Sequence, residues 1–361
     1  MMTGFATSRR RLLAGLAGLV ASALPRTALA SQSSYYRGPV SDHFDGVRFF
    51  NPGSPNEDQG LIDVLKWRMG SDATDWPDEL PRMAPDKPPA RVNNGDCRVS
   101  FVGHASFLVQ IDGVNILLDP VWSQRASPFS FAGPKRHAPP GVAFDDLPRI
   151  DAVLISHNHY DHMDLVTVGK LWKRDKPRII APLGNDAVIR QADRSIVVES
   201  GDWGDSFRLN PRVVVTLRRA QHWSARGLSD RRQALWAAFV IDAPGGGVYF
   251  VGDSGFGDGS SFRDIGHAHP QLRLALLPIG AYAPRWFMKE QHMNPDEAVE
   301  AFRLCGAQRA IAHHWGTFQL SDEGYDEPRQ KLTEALTRTA MSPQRFSTLL
   351  PGESLQLTTS K

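Results

Sequence analysis

The sequence predicts an α/β protein arranged as a four-layer αββα sandwich, two mixed sheets with helices on their outer faces. Short apolar runs bounded by Gly, Pro and Asp recur along most of the chain and read as buried strands. Segments with helical start signals fall between them. Several of the apolar runs end on His or Asp, where a rigid sheet can hold a side chain and a loop can expose it.

The sandwich is expected to begin near Arg98, leaving 31–97 as a loop-rich strap and 98–361 as the main domain. Within the strap, Leu61 to Arg68 reads as one short helix, and the proline-rich stretch from Pro77 to Arg91 as extended chain. Arg98–Val102, Ser106–Ile111 and Asn115–Asp119 read as consecutive strands, with Asp112-Gly113 as a hairpin turn. Asp151–Ser156 is a further buried strand. A helix capped by Asp164 runs to Lys173, and strand-like Ile179-Ile180 precedes a helix from Asn185 to Ala192. In the second half, strands are expected near 213–217, 235–241, 248–252 and 274–278. Asn294, Pro295 and Glu297 form a sound helix start, with the helix running to about Leu304. Strand Arg309–His313, a helix from Glu327 to Thr339 and a strand at Ser354–Leu357 complete the order.

Residues 1–30 read as an export leader of the twin-arginine type. Arg9 and Arg10 lie in Thr7-Ser-Arg-Arg-Arg-Leu-Leu13, a modestly apolar run follows, and Ala28-Leu29-Ala30 offers a small-residue cleavage site. The expected location is the periplasm. The chain of 361 residues carries a net charge of +2, and the leader holds four arginines and no acid, so the remainder carries −2. A near-neutral body gives no support to nucleic-acid binding. Cys97 and Cys305 match no metal-ligand spacing; an oxidising compartment permits a single bridge between them, and two buried thiols is the favoured reading. Oligomeric state has no signal in the sequence.

The stretch His157-Asn-His-Tyr-Asp-His162 follows the strand at Asp151–Ser156. Alternate residues of an extended segment point the same way, so His157 and His159 can grip one ion. Asp161 and His162 can reach a second as the chain turns. His222, Asp253 and His314 each follow or end an apolar run. One divalent ion would take His157, His159 and His222, and the other Asp161, His162 and His314, with the two oxygens of Asp253 as the bridge. Imidazole with carboxylate suits zinc, with iron or manganese as alternatives.

This order of motifs resembles the metallo-β-lactamase superfamily in its dinuclear hydrolase form. The flanking blocks narrow the resemblance. Asp42-His-Phe-Asp-Gly, Leu118-Asp-Pro120, Gly133-Pro-Lys-Arg136, Gln221-His-Trp223, Gly252-Asp-Ser-Gly255, His292-Met-Asn-Pro295 and His314-Trp-Gly-Thr-Phe318 are similar to the branch of N-acylphosphatidylethanolamine-hydrolysing phospholipase D and its bacterial relatives. The resemblance covers roughly residues 40–325 and implies one large sandwich domain. It also implies a phosphodiesterase acting on such lipids through a metal-bridging hydroxide, releasing phosphatidic acid and an N-acylethanolamine. A metal-dependent lactonase, or another ester or amide hydrolase on the same scaffold, is the alternative.

Several roles stay open at this level. Asp161 can bind metal and orient the hydroxide. His292 can meet the phosphate or the leaving alkoxide, or pack the helix that follows. Tyr160 can touch substrate or brace its turn. Trp223, with Trp286 and Phe287, can line an acyl pocket or belong to the core. His104 and Asp119 can hydrogen-bond ligand imidazoles or serve the core alone. Arg125 to Arg136, with Phe129 and Phe131, can lie against a membrane surface or form a packed loop.

Overall fold

The apolar runs pair into two seven-stranded sheets in a computed structural model that describes residues 33–54, 60–77, 80 and 83–358. The expected export leader lies outside the described residues. Strands are β1 Cys97–Gly103, β2 Ser106–Ile111, β3 Val114–Leu118, β4 Ala152–Leu154, β5 Arg178–Pro182, β6 Val198–Gly201 and β7 Ser206–Arg208. They continue as β8 Val214–Arg218, β9 Ala238–Asp242, β10 Gly247–Phe250, β11 Leu272–Pro278, β12 Arg309–His313, β13 Phe346–Thr348 and β14 Ser354–Leu357. The helices are α1 Leu61–Gly70, α2 Leu165–Asp175, α3 Asn185–Ile189, α4 Ser260–Ala268, α5 Arg285–Met288, α6 Pro295–Cys305 and α7 Glu327–Arg338.

One sheet runs β14-β1-β2-β3-β4-β5-β6 and the other β13-β12-β11-β10-β9-β8-β7. Each mixes antiparallel hairpins with parallel pairs reached through helices. The period of two sorts side chains between layers. In β2, Phe107, Val109 and Ile111 face the other sheet, where Phe239, Phe250 and Leu274 meet them. Leu108 points outward to Val168, Leu171 and Trp172 of α2 and to Val188 and Ile189 of α3. On the far side, Val240, Tyr249 and Ala275 pack on Phe262 of α4, Phe302 of α6 and Leu332 of α7. The four layers are therefore αββα. Cys97 lies between the sheets and Cys305 in the outer layer, and both are free thiols.

Local chemistry sets the elements that carry the site. Asp112 and Gly113 take φ of 45° and 78°, the conformation a two-residue hairpin requires, and join β2 to β3. Asp164 caps α2 by accepting from Val166 N–H. Asn294 and Glu297 close a reciprocal capping box on α6, worth about 1 kcal/mol for the cap residue. The strap before β1 is tied down at many points. Arg98 pairs with Asp86, Arg91 with Asp151, and Asn51 donates to the carbonyl of His222 at 2.9 Å. Among the described residues no helix is long and apolar enough to cross a membrane.

Candidate metal centre

Four strand ends deliver the site. β4 runs into Ser156 and the His157–His162 loop, β8 leads to His222, β10 to Asp253 and β12 to His314. Tight backbone geometry aims them. His314 takes φ of 62° and Asp119, just after β3, φ of 38°. Gly252 precedes Asp253 where a Cβ would stand 2.7 Å from that of Ser156, so only glycine lets the two strand ends meet. Gly280 passes His314 more closely still, since a Cβ on it would fall 1.9 Å from the His314 carbonyl oxygen.

All seven candidate ligands converge, in two groups. His157 Nε2 lies 2.9 Å from His159 Nδ1, and His222 Nε2 lies 3.3 Å from that same nitrogen. In the other group, Asp161 Oδ2 is 3.2 Å from His314 Nε2 and 3.4 Å from His162 Nε2. Asp253 Oδ2 faces both. It stands 3.2 and 3.1 Å from His162 and His314, and 3.9 and 3.6 Å from His157 and His222. Four donors around a tetrahedral ion at 2.0–2.1 Å would be separated by about 3.3 Å. The second group comes close to that spacing, and the first needs only small adjustments.

The surroundings orient these rings. Ser156 Oγ donates to Asp119 Oδ2 at 2.6 Å and so accepts from His157 Nδ1 at 2.9 Å. His162 Nδ1 donates to Asp119 Oδ2 at 2.7 Å, and His222 Nδ1 to the Gln291 carbonyl at 3.0 Å. Each partner holds a proton on Nδ1 and leaves Nε2 bare toward the cluster. Buried Asp253 Oδ1 and His162 Nε2 have no hydrogen-bond partner. The donor set thus fits divalent metal ions.

Electrostatics separate the two groups. Burial, with the neighbouring imidazoles, holds His157 and His222 well below the usual histidine range and His159 at about 4. Burial also opposes charge on His162 and His314, but the Asp253 and Asp161 carboxylates outweigh it. They raise His162 well above its ordinary value and His314 to about 9. The carboxylates themselves are held far below their ordinary range against the burial that opposes their charge, chiefly by His162. A potential that attracts protons this strongly also attracts cations.

A cavity of about 290 Å³ opens over the cluster. Trp223, Tyr160 and His292 line it together with Trp67, Phe287, Met288 and Leu320. His292 Nδ1 is 3.9 Å from Asp253 Oδ2, buried and without a hydrogen-bond partner, while burial pushes its ring down to about 4. Tyr160 faces the cavity, and its hydroxyl donates to the Arg226 carbonyl at 3.0 Å. Trp286 stands 55% exposed outside the lining, so of the three aromatics only Trp223 and Phe287 reach the cavity. In the loop from Arg125, Ala126 faces the cavity while Phe129 and Phe131 stand exposed with rings 5.6 Å apart.

Other contributors carry no sequence signal. Trp67 arrives from α1, far upstream, and its indole N–H donates to Asp322 at 2.9 Å. Arg226 clamps the ligand loop through the carbonyls of Asn158 and Met163 at 3.0 and 2.8 Å, its guanidinium over the Tyr160 ring. Asp119 does meet a candidate ligand imidazole. His104 meets the Asp161 carboxylate instead, at 2.8 Å, with burial and nearby His314 pushing its ring down to about 3.

Paired sheets with a His and Asp cluster at their strand ends define a metal-dependent hydrolase of the metallo-β-lactamase fold. Residues 114–315 match the β-lactamase superfamily domain, and the chain belongs to that family. It is 42% identical over 265 residues to N-acyl-phosphatidylethanolamine-hydrolyzing phospholipase D 1 of Caenorhabditis elegans, covering 70% of this chain and 74% of that protein. An uncharacterised Mycobacterium tuberculosis protein is 36% identical over 329 residues, 88% of this chain and 84% of its own length. The solved isothiocyanate hydrolase from Delia radicum gut bacteria shares the fold, with a TM-score of 0.57 at 18% identity over 72% of this chain and 98% of that one.

Proposed function

We propose that the chain is a phosphodiesterase of the phospholipase D type, acting on N-acylphosphatidylethanolamine-like lipids with two divalent ions, zinc by preference. The observation that carries the reading is the division of seven donors into two groups sharing Asp253 Oδ2, directly beneath an apolar-walled cavity. The name of the C. elegans relative supports the lipid. His157, His159 and His222 would hold one ion, Asp161, His162 and His314 the other, and Asp253 both. Bound there, the ions would supply Lewis acidity toward a phosphoryl oxygen and a water acidified to near neutrality.

The chain's own residues do the rest. Asp161 accepts a hydrogen bond from the attacking water and orients it in line with the leaving oxygen. His292 donates a hydrogen bond to that oxygen, onto which the proton from water passes as the phosphorus–oxygen bond breaks. Trp67, Trp223, Phe287 and Met288 take up acyl chain and exclude water. The decisive experiment offers the zinc-loaded chain N-acylphosphatidylethanolamine, bis-p-nitrophenyl phosphate, an acyl lactone and a β-lactam, each with and without chelator. Chelator-sensitive cleavage of the phosphodiesters is expected. Turnover confined to the lactone or lactam would overturn the reaction class.

We also propose a periplasmic location, on the leader motif alone. A reporter fused to residues 1–35 should lose export when Arg9 and Arg10 are both changed to Lys. Export indifferent to that change removes the assignment.

A further inference from the structure

The turn between β1 and β2 departs from a regular hairpin. Register between the strands shifts between Phe101 and Gly103, and Gly103 and His104 take φ of 129° and 57°. The left-handed region is uncommon for any residue with a side chain. Two backbone bonds from one distant segment hold His104 there. Its N–H donates to Thr317 Oγ1 at 2.8 Å, and its carbonyl accepts from His314 N–H at 2.9 Å. Irregularities of this kind re-aim a side chain near a functional site. The side chain re-aimed here is the His104 ring, buried against His314 with centroids 4.1 Å apart.

His104 Nε2 lies 2.8 Å from Asp161 Oδ2, and its Nδ1 is buried without a partner. A carboxylate oxygen can only accept, so the hydrogen of the ring belongs on Nε2. Asp161 Oδ2 also faces His314 Nε2 at 3.2 Å and His162 Nε2 at 3.4 Å. Among the described residues no hydrogen bond reaches Oδ1 of Asp161, a residue that lines the cavity.

We propose that His104 is a positioning residue, whose Nε2–H fixes the rotation of the Asp161 carboxylate. One lone pair of Oδ2 is taken by His104, the other faces the space shared with His162 and His314, and Oδ1 is left toward the cavity. The inference rests on the metal-centre reading above. It differs from the possibility that His104 is itself a ligand, since a ligating Nε2 carries no hydrogen.

Nitrogen NMR of the wild-type chain labelled with ¹⁵N-histidine, with and without zinc, reads the tautomer directly. A protonated Nε2 with bare Nδ1 is expected in both states, and a bare Nε2 overturns the proposal. Zinc affinity by chelator competition then compares wild type with His104→Phe and His104→Gln. The Phe variant should hold one of its zinc ions about 10–100-fold more weakly, as when a ligand's supporting hydrogen bond is lost. Gln, which retains an N–H at similar reach, should recover most of that loss. Wild-type affinity in the Phe variant, or equal loss in both, overturns the proposal. Should the Phe variant fail to fold, the wild-type tautomer still decides. Neither readout uses phosphodiester turnover, so this inference and the proposed reaction fail separately.

Discussion

The two donor groups beneath the cavity are built from different chemistry. His157, His159 and His222 form an imidazole group, in which His157 and His222 stand 3.9 and 3.6 Å from the shared Asp253 Oδ2. Around His162 and His314, Asp161 joins Asp253 at 3.1–3.4 Å. A dication in the carboxylate group would be largely neutralised, whereas one in the imidazole group would keep more of its charge. The same contrast sets the protonation directions, downward for the first group and upward for His162 and His314. Seven donors spread over two sheets therefore make two unequal positions rather than a symmetric pair. Asp253, facing both, is the element they have in common.

Removing the shared residue should have the largest effect. Asp253→Ala is expected to lose both ions and to lower kcat/KM by more than about 10³-fold, at least the loss seen when one transition-state-stabilising group is deleted. Metal analysis and turnover together check this, and retained activity would deny Asp253 its bridging place. Breaking one group at a time separates the halves. His159→Ala and Asp161→Asn should each leave about one ion per chain, with the remaining ion held more tightly in His159→Ala, where both carboxylates survive. Titration with a competing chelator reads the difference, and equal affinities would erase the contrast between the groups. The smallest effect should come from His292→Ala. It should lower kcat by about 10²-fold, the scale of one lost hydrogen-bond donor to developing charge, while metal content stays at the wild-type value. Loss of an ion instead would make His292 a ligand of the imidazole group.

How much of this can be read from the sequence follows from how local each signal is. The His157–His162 loop is a contiguous signal, and His222, Asp253 and His314 are marked by the apolar strands before them. The paired start residues Asn294 and Glu297 likewise announce α6. Helix α4 has no such mark, because Gly259 starts it without a side-chain cap and Gly266 interrupts it. That second glycine answers to α6, whose Leu304 carbonyl oxygen would lie 2.7 Å from a Cβ. Strands β6, β7 and β13 span only three or four residues each and acquire their identity from their neighbours. Trp67 and Arg226 reach the site only through tertiary packing, so no spacing names them. The partner of His104 differs from the expected imidazole for the same reason. Its ring is aimed by a bulged hairpin and by His314 and Thr317, more than two hundred residues away.

The pairing of β14 with β1 has a consequence for how the molecule is made. Cys97↔Leu357 and Ser100↔Ser354 place a late strand beside the first one, with the whole sandwich between them in sequence. By the time synthesis reaches Ser354 every candidate ligand, up to His314, has already been made, whereas β1 still lacks its β14 neighbour. An uncovered strand border is a template for the wrong partner, and contacts so distant along the chain form slowly. Once β14 pairs, the border of this sheet passes from the seven-residue β1 to the four-residue β14, so this pairing bears on self-association and not on the gathering of the ligand cluster.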